Sequence, residues 1–357
     1  MSEETKKETP VPQEEERRTH KVGLIEVNEV STKAKKSLLL RTIYAVAMIA
    51  VLLPALIFGG WVWFAFISLV FIGATHEILC AVQKKIPWYL AIVCYVFMAG
   101  IVYWAIAKDN VDAFFAARLS GEHFMPDLAR HTNSLYVSPI WMAIMIAVFF
   151  FLSIALKNFT FSDITYIFLM LWMVGLGLQA ALYLRYVPFI QGARPIGDSG
   201  FFDYWQSIEL IVFLAVTIYM NDTFAYLGGM LFGKHKMAPR VSPKKTWEGF
   251  FSGWVFGAAF GAAFGLICSH LGSPMLAGVF DMEHWYMIVI AAILLPLYGV
   301  LGDLSFSMVK RHFNFKDYSH LLGPHGGILD RIDSALFGLL GLATVVMTFL
   351  YFSGLIH

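Results

Sequence analysis

Long apolar runs, separated by short polar segments, dominate the pattern of this chain. A run of about 20 apolar residues is long enough to cross a bilayer as an α-helix. We therefore predict nine spanning helices, at residues 39–58, 61–82, 88–107, 138–156, 162–184, 206–230, 248–270, 285–306 and 334–355. The segment before them, residues 1–38, is polar and rich in charge, and we expect it to form a disordered tail.

The composition of the chain agrees with a membrane protein. Hydrophobic residues make up 58% of the chain and charged residues only 14%, with a mean hydropathy of +0.66. These values exclude an ordinary soluble domain. The net charge of +1 does not indicate nucleic acid as a partner. The three cysteines lie in apolar runs without a disulfide or metal-binding spacing. We predict an all-α polytopic integral membrane protein.

The distribution of basic residues predicts which side of the membrane each loop faces. Cytoplasmic loops carry an excess of Lys and Arg. With the N-terminus in the cytoplasm, the inner segments are 1–38, 83–87, 157–161, 231–247 and 307–333. Of the 26 Lys and Arg residues, counting Arg41 with the tail, the outer segments hold only Lys108, Arg118, Arg130, Arg185 and Arg194. Loops 231–247 and 307–333 are therefore expected on the cytoplasmic side.

Four aspartates stand within or beside apolar runs of the C-terminal region: Asp222, Asp303, Asp330 and Asp333. A charged side chain at membrane depth is costly unless it is paired or solvated. Asp303 shares a helical face with Ser307, and Asp330 shares one with Asp333 if the segment ILDRIDSALFGLL starts the last helix. Aspartates converging from two helices suit a hard divalent cation, above all Mg²⁺. Buried ion pairs or acids at helix ends would give the same pattern, so both interpretations stand at this point.

Two polar loops place basic and small residues near these acids. Glycines ahead of a helix offer backbone N–H groups that suit phosphate. Loop 231–247 lacks the spacing of a Walker A motif. The basic residues would equally serve as positive-inside anchors. The candidate phosphate-binding residues are Ser242, Lys244, Lys245, Ser307, Lys310, Arg311, His325, Gly326 and Gly327.

One further acid, Glu77, lies at the inner end of the second predicted helix. Its neighbours in the segment GATHEILC are mostly apolar or weakly polar. We expect Glu77 to lie at the membrane interface, where a carboxylate stays hydrated.

The last polar segment resembles a known family signature. Residues 307–333, SMVKRHFNFKDYSHLLGPHGGILDRID, are similar to the signature of phosphatidate cytidylyltransferases (CDP-diacylglycerol synthases). Residues 221–253, NDTFAYLGGMLFGKHKMAPRVSPKKTWEGFFSG, resemble the other strong block of the family. The resemblance is specific over residues 221–334 and diffuse over the first 200. Many relatives read Pro-Gly-His-Gly-Gly where this chain has Gly-Pro-His-Gly-Gly, which changes the position able to adopt a positive φ.

The resemblance implies that CTP and phosphatidate react to give CDP-diacylglycerol and pyrophosphate, a step of phospholipid biosynthesis. It implies Mg²⁺, allows a second, monovalent cation such as K⁺, and implies a homodimer. It places metal at Asp303 and Asp330 with Asp333 close by, and we expect Asp222 to complete that shell. The residues expected to act in catalysis are Asp303, Asp330, Asp333, Lys310 and Arg311.

The sequence also suggests a division of the chain and a location: the polar tail and modest size suit a prokaryotic plasma membrane, although an enzyme of the endoplasmic reticulum would have the same motifs. Residues 39–205 would form N-terminal transmembrane helices, and residues 206–357 the catalytic transmembrane region with its two cytoplasmic loops. The protein would be a multi-pass protein of the plasma membrane, in contact with membrane lipids and with its active site facing the cytoplasm.

Three other functions compete with this one. A CTP-dependent polyprenol or phytol kinase would use the same nucleotide but release CDP, and the length of the signature argues against it. A cation transporter would line its pathway with Asp222, Asp303 and Asp330. The lack of internal repeats and the concentration of motifs in two loops argue against transport. A purely structural membrane protein would leave the acid pattern unexplained.

Overall fold

The computed structural model describes residues 19–22, 25–28, 32–104, 106–108, 117, 119, 137–190, 203–319, 321–323 and 326–353. Within these ranges the chain forms nine α-helices of 15 residues or more. They are α1 (Thr32–Phe58), α2 (Gly60–Ala81), α3 (Trp88–Val102), α4 (Pro139–Ala155), α5 (Phe161–Ile190), α6 (Asp203–Phe232), α7 (Trp247–His270), α8 (Trp285–His312) and α9 (Leu329–Phe352).

Six of these helices are long and apolar enough to cross a membrane, namely α2 and the five from α5 to α9. The apolar parts of α1, α3 and α4 are shorter, at 10–17 residues. The chain is thus a helical, polytopic membrane protein. Its count of nine crossings and the orientation of its N-terminus stay predictions.

Two helices that border the last polar loop differ from their predicted bounds. Helix α8 continues to His312, six residues beyond its predicted end, and α9 begins at Leu329 instead of residue 334. Hydropathy falls at residue 307, but the backbone stays helical. Lys310 and Arg311 in the last turn of α8, and Asp330 in the first turn of α9, have the charges that helix dipoles favour at those ends.

Short antiparallel ribbons occur at two places in the described chain. Strands β1 (Thr19–Val22) and β2 (Ile25–Asn28) pair within the segment predicted to be a disordered tail. In β2 the β-branched Ile25 and Val27 alternate with polar residues, a pattern that favours a strand. Residues 1–18 of the tail lie outside the described part. Strands β3 (Lys236–Ala238) and β4 (Ser242–Thr246) form a hairpin between α6 and α7.

Helices α6 and α7 are packed against each other along a stripe of glycines. Gly249, Gly253, Gly257, Gly261 and Gly265 recur every four residues on the buried face of α7. A Cβ at Gly253 would lie 2.5 Å from a backbone oxygen of α6, so only glycine lets the two helices approach this closely. The stripe fixes the distance between α6, which carries Asp222, and α7, which follows the β3–β4 hairpin.

One apolar core joins the N-terminal helices to the C-terminal region. Phe306 of α8, Tyr318 of the following loop, and Leu329 and Leu336 of α9 are buried in the same cluster as residues of α2, α3, α4 and α5. A second core joins α5, α6, α8 and α9 around the loop that contains Leu276 and Phe280. The polar loop after α8 is therefore held between both parts of the chain.

Candidate active site

The β3–β4 hairpin places a lysine on the first acid of α8. Lys245 Nζ lies 2.5 Å from Asp303 Oδ2, and Ser307 Oγ donates a hydrogen bond of 3.2 Å to Asp303 Oδ1. The Asp303 side chain is 35% exposed, so its carboxylate remains open to a ligand. Arg311 Nε donates to Val241 O at 3.3 Å, which ties the hairpin to the end of α8.

Two further carboxylates interact electrostatically with Asp303. Asp222 of α6 and Asp333 of α9 both repel it. Asn221 Nδ2 donates to Asp222 Oδ1 at 3.1 Å, and the Ser334 backbone N–H donates to Asp333 Oδ1 at 2.7 Å. Helices α6, α8 and α9 thus each place an acid in this region; Lys245 pairs with Asp303 and also attracts Asp222, whereas Lys310 attracts Asp333.

Close contact of α8 and α9 sets the position of Asp333. A Cβ at Gly302 would lie 2.6 Å from the backbone oxygen of Asp333. Because Gly302 has no side chain, the two helices can touch beside the carboxylates. Asp303 and Asp333 therefore stand on facing helices at the same level.

Asp330 has a different environment. Its Oδ1 accepts from Lys310 Nζ at 2.9 Å, and its Oδ2 accepts from the backbone N–H groups of Tyr318 and Gly327 at 2.8 and 3.0 Å. The side chain is only 5% exposed. Gly326 adopts a φ of +83°, where a Cβ would lie 3.0 Å from Asp330 Oδ2. Asp330 organises the loop and holds Lys310.

The glycine turn uses its N–H groups inside the protein. Gly326 N–H donates to Gly323 O at 3.3 Å, and Gly327 N–H donates to Asp330. The sequence predicted that this turn offers open N–H groups to phosphate. In the structure these two N–H groups instead donate to oxygens of the protein. His325 lies outside the described residues, and so does Pro324.

Glu77 is buried and binds the polar loop after α8. Its side chain is 1% exposed, buried within the protein instead of lying at the interface. Its carboxylate accepts hydrogen bonds from Ser319 Oγ at 2.6 Å and from the backbone N–H groups of Ile328 and Leu329, both at 2.8 Å. Its place in an apolar run was the only sequence signal, because its partners lie more than 240 residues away.

The other basic residues of the predicted site lie on the hairpin and at the end of α8. Lys244 is exposed on β4, Ser242 is half-buried at the start of that strand, and Arg311 is exposed. Glu248, in the first turn of α7, accepts from the Lys234 N–H at 3.1 Å and from His235 Nδ1 at 2.6 Å. These contacts with α7 fix the shape of the hairpin. Lys244 remains exposed to solvent.

Tyr318 closes the loop beneath Lys310. The lysine Nζ lies 5.8 Å from the centre of the tyrosine ring, a cation–π contact. Burial raises the pKa of the Tyr318 phenol far above its usual value, and the nearby Tyr166, Asp330, Asp333 and Glu77 raise it further. The phenol therefore stays neutral, and its ring packs against Lys310.

The donors present fit a divalent cation at Asp303 better than at Asp330. Among the described residues, no three His, Cys, Asp or Glu side chains already converge as a metal-binding group. Asp303 nevertheless repels both Asp222 and Asp333, and a cation at Asp303 would relieve that repulsion. Asp330 has both oxygens occupied by protein donors.

Comparison with known proteins assigns the family. The family model described as "Cytidylyltransferase family" matches residues 39–351. A phosphatidate cytidylyltransferase of Staphylococcus saprophyticus is 30% identical over 304 residues, covering 83% of this chain and 94% of the relative. One of Staphylococcus aureus is 29% identical over 303 residues, with the same coverage. The match includes all the helices and both polar loops that build the site, and the chain belongs to the cytidylyltransferase family.

Proposed function

We propose that this chain is a phosphatidate cytidylyltransferase, which converts CTP and phosphatidate into CDP-diacylglycerol and pyrophosphate for phospholipid synthesis. The observation that carries this proposal is the pair of acid–lysine contacts, Lys245–Asp303 between β4 and α8 and Lys310–Asp330 between α8 and α9. Both lie inside the region that resembles the family signature. The names of the staphylococcal relatives support the same reaction.

The reaction needs charge neutralisation more than proton transfer. A phosphate oxygen of phosphatidate attacks the α-phosphorus of CTP and forms a new P–O bond. The bond from the α-phosphorus to the bridging oxygen breaks, and pyrophosphate leaves with that electron pair. The nucleophile is already an anion at neutral pH, so no strong general base is required. Catalysis then depends on positioning and on electrostatic stabilisation.

The three repelling acids would hold the magnesium ion of the reaction. Asp303 is 35% exposed, and it interacts with Asp222, which is exposed, and with Asp333, which is half-buried. A bound Mg²⁺ would neutralise charge on the nucleotide phosphates. Lys245 stays within reach of the same phosphates, as does Ser307 through its hydroxyl. The K⁺ suggested by the resemblance would need a further site.

The second acid–lysine pair would act on the phosphates through its lysine. Asp330 keeps Lys310 in place, and Arg311 follows on the exposed side of α8. Lys244 and Ser242 on the hairpin complete a basic surface for phosphatidate and the leaving pyrophosphate. We propose that His325, Gly326 and Gly327 line the nucleotide site.

We further propose the location and assembly that the sequence indicated. The chain would cross the plasma membrane nine times, with the N-terminus and the active site facing the cytoplasm. Phosphatidate would enter sideways from the inner leaflet while CTP arrives from the aqueous side. The protein would work as a homodimer. The concentration of basic residues in loops 231–247 and 307–333 supports this orientation.

Labelled CTP tests the reaction directly. Purified protein in mixed micelles is given phosphatidate, Mg²⁺ and CTP labelled on the α-phosphorus. Label should enter the chloroform phase with wild-type protein and stay in water with Asp303→Asn. Label recovered as CDP would point to a CTP-dependent kinase, and label left in intact CTP with folded protein would favour the cation transporter. Either of these two results would overturn the proposal.

A further inference from the structure

Glu77, a buried glutamate of α2, binds the polar loop of the proposed active site. We propose that Glu77 is a positioning residue for the cytidylyl transfer: it fixes the start of α9 and thereby the Asp330–Lys310 pair. This inference rests on the proposed function for its kinetic consequence. Its structural part stands on the contacts of Glu77 alone.

The contacts of Glu77 all reach one segment. Ser319 Oγ donates to Oε1 at 2.6 Å, Ile328 N–H donates to the same oxygen at 2.8 Å, and Leu329 N–H donates to Oε2 at 2.8 Å. The two backbone donors stand at the N-terminus of α9, where the helix dipole favours a negative charge. A carboxylate that is 1% exposed thus finds its compensation in this loop.

The segment held by Glu77 is the one that holds Asp330. Leu329 directly precedes Asp330, and Gly327 donates its N–H to the Asp330 carboxylate. Asp330 in turn binds Lys310 at 2.9 Å. A displacement of Ile328 and Leu329 would therefore move the lysine that we assign to the phosphates, although Glu77 touches no substrate.

The absence of a side chain at Gly327 makes this contact possible. A Cβ at Gly327 would lie 2.6 Å from Glu77 Oε2 and 2.7 Å from Oε1. Gly327 is not among the residues with positive φ, so the clash and not backbone strain would oppose an alanine there. The absence of a side chain at Gly327 therefore leaves the space that the Glu77 carboxylate of α2 occupies.

The test measures loop protection and turnover in Glu77→Gln. The amide removes the charge and can no longer accept all three hydrogen bonds, while its size is unchanged. The protein is placed in phosphatidylcholine nanodiscs, and amide exchange is followed by mass spectrometry. Exchange should rise about tenfold or more in peptides covering 326–330 and stay unchanged in the β3–β4 hairpin. Asp163→Asn is the matched control, because Asp163 is a buried carboxylate that caps α5 through the Thr160 N–H at 2.7 Å.

The kinetic readout separates positioning from general stability. With saturating substrates and well below the melting temperature, Glu77→Gln should lose roughly tenfold to a hundredfold in kcat, while KM for CTP stays within about threefold. Asp163→Asn should keep both values and the loop protection. Glu77→Gln with wild-type protection of the loop would overturn the inference, whatever its kcat.

A second variant covers the case in which Glu77→Gln does not fold. Gly327→Ala pushes the carboxylate away from the loop side and should give the same rise in exchange over 326–330. If Gly327→Ala leaves amide exchange over 326–330 unchanged, the space at Gly327 is not needed and the inference fails. If wild-type protein forms no CDP-diacylglycerol, the proposed function fails, and the exchange data alone decide whether Glu77 holds the loop.

Discussion

Asp303 and Asp330 were expected to share one role, and their surroundings set them apart. Asp303 is 35% exposed, is paired with a lysine from another element, and has two other acids beside it. Asp330 is 5% exposed and accepts from one lysine and two backbone N–H groups. The first environment leaves a carboxylate available to a cation, whereas the second uses it to build a loop. Two acids of one signature can thus be required for different reasons.

The largest effect that tests this difference is expected for Asp303→Asn. Removing the charge that stabilises the phosphates should lower turnover by about 10³-fold or more, while the melting temperature stays near the wild-type value. Label transfer into lipid and thermal melts measure the two quantities. Binding of Mn²⁺, followed by electron paramagnetic resonance, should weaken strongly. Unchanged Mn²⁺ binding would remove Asp303 from the metal site.

Asp330→Asn should affect folding as well as turnover. It breaks a buried ion pair and leaves Lys310 without its partner, which costs about 3 kcal/mol of stability. The melting temperature should fall clearly, and exchange in the loop should rise, while Mn²⁺ binding persists in the folded fraction. A stable Asp330→Asn protein that has lost Mn²⁺ binding would restore the metal-ligand role that the sequence predicted.

The two lysines provide a matched pair of smaller effect. Lys310→Met leaves Asp330 buried and unpaired and should destabilise the protein by roughly 3 kcal/mol. Lys245→Met removes the partner of a partly exposed acid and should change stability by less than about 1 kcal/mol. Both should lower turnover. Equal melting temperatures for the two variants would contradict the difference between the two acids.

The smallest effect is expected for Asp281, an acid in the loop before α8 that belongs to neither acid–lysine pair. Asp281 accepts from the backbone N–H groups of Gly278 and His284 and lies 2.9 Å from His284 Nδ1. Burial acts to raise the pKa of Asp281, but these hydrogen bonds outweigh it and hold the pKa below its usual value. A depressed native pKa stabilises the fold above the unfolded pKa of about 4, and this is lost as the pH falls through the native pKa.

Asp281→Asn should therefore keep full turnover and lose less than about 1 kcal/mol of stability at neutral pH. Thermal melts between pH 3 and pH 7 should show the difference from wild type shrinking toward the acidic end. A difference that grows with acidity would mean that the native pKa is raised instead. Reduced turnover would show that this loop communicates with the site.

Hydropathy and local motifs predicted most of the fold and the family. The predicted helix 61–82 differs by one residue from α2, and the match to the family model over 39–351 confirms the resemblance that the last polar loop indicated. What the sequence did not reveal are contacts between distant segments. Glu77 and Leu329 are 252 positions apart, and neither the carboxylate nor the turn carries a local mark of its partner.

The C-terminal end of α8 and the start of α9 differ from their predicted positions for a related reason. A hydropathy window ends where charges begin, yet a helix ends where its backbone loses partners. Lys310 keeps its place in the last turn of α8 because Asp330 of α9 accepts from it. The charge that marks a loop in sequence is here the contact that joins two helices.

The glycine stripe of α7 determines how much sequence change the protein tolerates far from its charged residues. A methyl group at Gly257 would lie 2.9 Å from the Asn221 Cβ and 2.9 Å from the Thr217 backbone oxygen. Such a group would wedge α6 away from α7 and carry Asp222 with it, since Asn221 is its neighbour in the chain. Alanine, the mildest change on most helix surfaces, is therefore expected to be inactivating here, and harmful variants of this enzyme should accumulate along a helix that carries none of its acid–lysine pairs.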